Sequence, residues 1–85
     1  MDTFHELIQN TIKETEYYID KYDIRPKYMT DKQLNMIIEE LEKMDKIRNC
    51  EIFFPYYPKG VADCWNFEDP LAEKLLFVID IYRKL

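Results

Sequence analysis

Three stretches of the chain repeat apolar residues every three or four positions, and each opens on a residue able to cap a helix. In the first, Phe4, Leu7, Ile8, Ile12, Ile19 and Tyr22 share one stripe, with Thr11 and Thr15 in its gaps. Lys13, Glu14, Glu16 and Asp20 lie on the opposite face, and Tyr17 and Tyr18 flank the stripe. Thr3-Phe4-His5-Glu6 fits a capping box, in which the Thr hydroxyl accepts from the Glu6 amide and the Glu6 side chain reaches back. The spacing predicts a helix over 3–22. In the second stretch Thr30-Asp31-Lys32-Gln33 is another capping box, and Met29 is placed to staple onto Leu34. Its buried stripe is Leu34, Ile37, Ile38, Leu41, Met44 and Ile47, with Glu39, Glu40 and Glu42 at or beyond the edges. The third stretch begins with Asp69 as N-cap and Pro70 in the first helical position. Leu71, Leu75, Leu76, Val78, Ile79, Tyr82 and Leu85, widened by Phe77 and Ile81, make a face broad enough for a central helix packed on two sides. Arg83 and Lys84 suit its C-terminal dipole.

Helical periodicity fails twice. Pro26 breaks the stretch 23–29, which reads as a connector, locally extended. The second break, 51–69, is EIFFPYYPKGVADCWNFED, and it holds the only Gly, the only Trp and six aromatic rings. Ile52-Phe53-Phe54 reads as a short strand or a tight helical turn. Pro55 and Pro58 exclude a regular helix through Tyr56-Tyr57, and Lys59-Gly60 reads as a turn. Trp65 and Phe67 are expected to anchor the segment to the core. The expected fold is mainly α: one small helical domain over 1–85 with three main helices. Between the second and third lies an irregular aromatic segment, with a short strand or a fourth short helix as its regular alternatives.

Composition narrows the function. At 85 residues and 47% hydrophobic, the chain can bury a core and does not read as disordered. Met1 leads into charged sequence rather than an apolar leader, and no apolar run approaches the roughly 18 residues of a membrane span. The expectation is a soluble cytoplasmic protein with no membrane contact. A net charge of −5 disfavours direct nucleic-acid binding, which needs clustered Lys and Arg. It suits a basic protein partner, and it also simply maintains solubility. Cys50 and Cys64 have no metal-ligand spacing and His5 is the only histidine, so both cysteines read as reduced, buried, small hydrophobes and no metal is expected. Asp63-Cys64 with distant His5 is the sole nucleophile-and-base combination, and there is no Ser and no glycine-rich loop. No enzymatic activity and no cofactor are expected.

Binding is better supported. Tyr56 and Tyr57 sit between two prolines, which stiffen the backbone and lower the entropy lost on association. Tyrosine offers large, rigid contact area with a polar tip. Beside the pair, Glu39 and Glu42 of the second helix and Glu51 and Asp63 of the segment are the candidate acids for a basic partner. In the competing reading the tyrosines only close the core and the acids form a solvated face.

Tyr56-Tyr57-Pro58-Lys59, following a helix that ends Leu41-Glu42-Lys43-Met44, resembles the immunity proteins of the nuclease colicins and pyocins over residues 33–59. Those are acidic, cytoplasmic, all-helical proteins of about this length. The resemblance implies a Tyr-Tyr-Pro element on a short third helix that, with acids of the second helix, binds the nuclease. It would assign binding to Tyr56 and Tyr57, and specificity to Glu39 and Glu42. The sequence departs from the family where Phe53 stands in place of an Asp three residues before the first Tyr. Its first helix is longer, Pro26 is extra, and the span from Pro58 to Pro70 is longer. The expected function is therefore binding and neutralisation of a partner protein, a bacteriocin or nuclease-type toxin, by an immunity or antitoxin-like inhibitor. Two alternatives stand beside it: a virus-encoded inhibitor of a host defence protein, and a homodimeric helical interaction protein using the stripes of the first and last helices. The expected state is a monomer or weak homodimer.

Overall fold

The computed structural model describes residues 2–66 and 68–85, and the expectation for Phe67 lies outside them. Four helices follow one another: α1 (Thr3–Asp20), α2 (Asp31–Ile47), α3 (Tyr57–Cys64) and α4 (Pro70–Arg83). There is no strand among the described residues. The all-helical fold is as expected, with the short fourth helix realised as α3. α1 packs most extensively on α2 and also on α4, and α3 packs on both α2 and α4. α4 is thus flanked on two sides, but so is each of the other three helices, and no single helix is central.

The caps explain where the helices start. Thr30 accepts from the Gln33 amide at 3.1 Å, and Met29 and Leu34 are both buried, as the staple requires. The Gln33 side chain does not complete the box; its Oε1 accepts the Trp65 indole N–H at 3.0 Å. α1 corrects the sequence reading. Its N-cap is Asp2, whose carboxylate accepts from the His5 amide, and Thr3 is already helical. α1 stops at Asp20, so Tyr22 is exposed rather than on the buried stripe. The connector is a series of turns, with Arg25 N–H bonded to Lys21 and Met29 N–H to Pro26, rather than an extended run. Thr30→Ala is expected to cost about 0.5–2 kcal/mol, read as a lower urea midpoint. An unchanged midpoint would mean that the cap does not hold α2.

The buried side chains form one cluster drawn from all four helices, including Ile8, Leu34, Ile37, Leu41, Met44, Tyr57, Val61, Trp65, Leu71, Leu75, Val78 and Tyr82. Thr11 and Thr15 fill the gaps in the α1 stripe because each hydroxyl donates back to a carbonyl one turn earlier, Leu7 and Thr11 respectively. Phe77 and Leu85 were expected on the buried face of α4, but both are more than half exposed, as is Tyr22. Ile47 stands at the edge of the α2 stripe and is exposed. Cys64 is exposed and Cys50 half-buried, and both are free thiols, which corrects the reading of two buried cysteines.

One charged cluster ties the start of α1 to the end of α2. Arg48, left-handed with φ 52°, closes α2. Its guanidinium donates to Asp2 and Asp45 at 2.6 Å each and lies over the Phe4 ring. These bonds from Arg48, helped by the His5 amide, hold the Asp2 carboxyl below its ordinary value. None of the helices in the described residues is long and apolar enough to cross a membrane.

Candidate functional surface

The segment joining α2 to α4 is shaped by one buried acid and one buried hydroxyl. Glu40 lies on the α2 surface next to Ile37, Leu41 and Met44 and is itself buried. Its two carboxylate oxygens accept the Tyr56 N–H at 2.6 Å and the Tyr57 N–H at 2.9 Å. Those amides head α3, whose N-cap Tyr56 has no side-chain cap of its own. A carboxylate from a neighbouring helix thus satisfies the free donors and faces the positive end of the α3 dipole. Pro58 does not stop α3. It sits in the first turn, where a missing N–H breaks no intrahelical bond. Lys59-Gly60, expected to be a turn, is helical. Gly60 permits a close approach between α3 and α2: a Cβ there would come within 3.1 Å of Gln33 Nε2.

Ahead of α3, the Tyr82 hydroxyl points at the carbonyls of Phe53 at 2.7 Å and Asn49 at 3.1 Å, pinning the segment to α4. Ile52-Phe53-Phe54 is neither strand nor helix. It leaves a turn in which the amides of Ile52 and Phe53 bond to the Asn49 carbonyl. From Ile52 the side chains alternate. Phe53, Pro55 and Tyr57 turn inward, and Ile52, Phe54 and Tyr56 outward. The outward three are 72%, 41% and 80% exposed and form an apolar ridge.

The two tyrosines therefore part. Tyr57 is fully buried, its hydroxyl donating to the Leu75 carbonyl at 2.9 Å. Burial, reinforced by the negative charge of Glu40, pushes that hydroxyl well above the usual tyrosine range, so it stays protonated as a donor. Tyr56 is the most exposed large hydrophobic residue of the described chain. Trp65 is buried, tilted against Tyr28 and bonded to Gln33, as an anchor should be.

The predicted acids do not gather at one place. Glu39, Glu42, Glu51 and Asp63 are all exposed. A helix turns about 100° per residue, so Glu42 lies roughly 160° around α2 from Glu40 and faces away from the α3 side. Glu39 is on the same half as Lys43, whose ammonium lies 5.6 Å from the Phe53 ring centre. Glu51 adjoins the ridge in sequence, and Asp63 is near the far end of α3. Sequence reasoning missed Ile52, Phe54 and Glu40. The run IFFPYY is apolar throughout, so its alternation is invisible until the backbone is placed. The signal for Glu40 was its position beside the apolar stripe, within reach of a proline-bounded segment that needed a cap. No group of His, Cys, Asp and Glu suited to a metal occurs among the described residues. Compared with models of known protein families, with curated proteins and with solved structures, the chain gives no significant match.

Proposed function

We propose that this chain binds and neutralises a partner protein, acting in the cytoplasm as an immunity or antitoxin-like inhibitor of a bacteriocin or nuclease-type toxin. The observation that carries this reading is the ridge at Tyr56. A ring 80% exposed stands on a backbone held by both oxygens of Glu40 and bounded by Pro55 and Pro58. Such a ring loses little conformational freedom on binding. The resemblance to immunity proteins adds support, because it implies a Tyr-Tyr-Pro element on a short third helix, and here Tyr57 and Pro58 open α3. The net charge of −5 suits long-range attraction of a basic toxin. Glu39, Glu51 and Asp63 act in that encounter, and Glu42, turned away from the ridge, contributes only to the overall field.

A homodimer built on the helix stripes has less support, because those stripes are mostly consumed by the core of a single chain. The test is binding kinetics against the purified product of the adjoining reading frame, with inhibition of its toxicity measured in parallel. Tyr56→Ala is expected to weaken binding by about 2 kcal/mol, mainly through faster dissociation, with the thermal midpoint unchanged. Parent-like binding by Tyr56→Ala would remove the ridge from the interface. A product that neither binds nor is toxic would sink the immunity reading.

A further inference from the structure

The cations around the ridge distinguish its contact chemistry from the acidic character of the whole chain. The sequence has arginines at 25, 48 and 83. Arg25 pairs with Asp31 at 2.7 Å, and Arg48 pairs with Asp2 and Asp45. Arg83 makes no ion pair with a carboxylate among the described residues. Its guanidinium lies 5.3 Å from the ring centre of Phe54, the middle residue of the ridge, and its side chain belongs to an exposed residue. Lys43 stands in the same way over Phe53, from α2. Arg83, from α4, is therefore the cation that lies over a ring of the ridge itself, while Lys43 lies over the inward-turned Phe53 beside it.

A guanidinium held against a ring by a cation–π contact does not spend its N–H donors there and keeps them for a bidentate acceptor. The C-terminal dipole of α4 offers a blander role for Arg83, but that role needs no aromatic ring beneath the guanidinium. Tyr, Phe and a pre-stacked Arg are also the composition of an interface centre, where charges that pair are desolvated and selective. Glu42, which the sequence offered for this purpose, faces away on α2.

We infer that Arg83 is a specificity-determining residue of the Ile52–Phe54–Tyr56 surface, and that the partner segment it accepts presents a carboxylate next to an apolar side chain. The inference rests on the ridge being the binding surface. It requires only one local acid in a partner that is basic overall.

The probe is a displayed library of random twelve-residue peptides, selected on the intact protein and then measured as free peptides by calorimetry. The expected result is enrichment of peptides with Asp or Glu beside Leu, Phe or Trp. Their binding should weaken at least about tenfold with Arg83→Gln, recover in part with Arg83→Lys, and be lost with Arg83→Glu. Thermal midpoints of these variants should match the parent, since Arg83 is exposed and bonds no core group. Enrichment of basic peptides, indifference to Arg83→Glu, or no enriched motif overturns the inference. Tyr56→Ala and Phe54→Ala separate the two levels of the argument. Acidic peptides that ignore both variants bind elsewhere, and the ridge reading fails with this one. Peptides that need the ridge residues but not Arg83 leave the ridge in place and overturn only the carboxylate.

Discussion

Tyr57→Ala is expected to destabilise the protein by about 3–5 kcal/mol, whereas Tyr56→Ala, one residue away, should change stability by less than about 0.5 kcal/mol. The difference follows from where the rings lie. Tyr57 is wholly buried among residues of α2, α3 and α4, and its truncation leaves a ring-sized cavity under the α3 start. It also removes a hydroxyl bonded to the Leu75 carbonyl. Tyr57→Phe isolates that second contribution and should cost only about 1 kcal/mol, because the Leu75 carbonyl remains within a helix. Urea denaturation of the three variants reads all of this. Equal losses for Tyr56→Ala and Tyr57→Ala would mean that the pair shares one environment and that no free ring is displayed. The functional consequence is a clean division: Tyr57 holds the platform, and Tyr56 stands on it.

That division was half legible in the sequence. The prolines on either side implied a stiff backbone, but both rings were offered as binding residues because nothing local tells which one turns inward. The three long helices were readable because periodicity and caps are local properties, and Thr30 and Asp69 act where the spacing put them. α1 shows the limit of the same logic. Asp2 and Thr3 are both competent caps. Asp2 is the one used, and it also pairs with Arg48, a partner 46 residues away that no local pattern reveals. α3 stood only as one alternative, a short fourth helix, because Pro58 and Gly60 were treated as breakers. Pro58 falls in the first turn, where it is tolerated, and Gly60 answers the close approach of Gln33 rather than a turn. Phe77 was misplaced for a different reason. It falls on the side of α4 marked by Glu73, Lys74 and Asp80, and it was added to the apolar face for its residue type and not for its spacing.

Glu40→Ala is expected to cost about 2–3 kcal/mol, more than any other acid in the chain, because it removes the acceptor for two amides at once. The Tyr56 and Tyr57 N–H groups sit where α3 starts, and Tyr56 offers no side chain to replace the lost carboxylate. The Tyr57 amide is buried, so water cannot easily take over. Glu40→Gln keeps the shape and one good acceptor oxygen, and should recover about half of the loss. Glu39→Ala and Glu42→Ala, at exposed positions on the same helix, should each stay within about 0.5 kcal/mol. Beyond stability, amide hydrogen exchange at Tyr56 and Tyr57 should accelerate in Glu40→Ala even under conditions where the core of α1 and α2 stays protected. A loosened α3 start lets the Tyr56 ring sample several positions, so partner binding should weaken with the ridge side chains all still present. If Glu40→Ala leaves both stability and exchange unchanged, the carboxylate is not what fixes the ridge, and its rigidity must come from the prolines and from the Tyr82 hydroxyl on the Phe53 carbonyl.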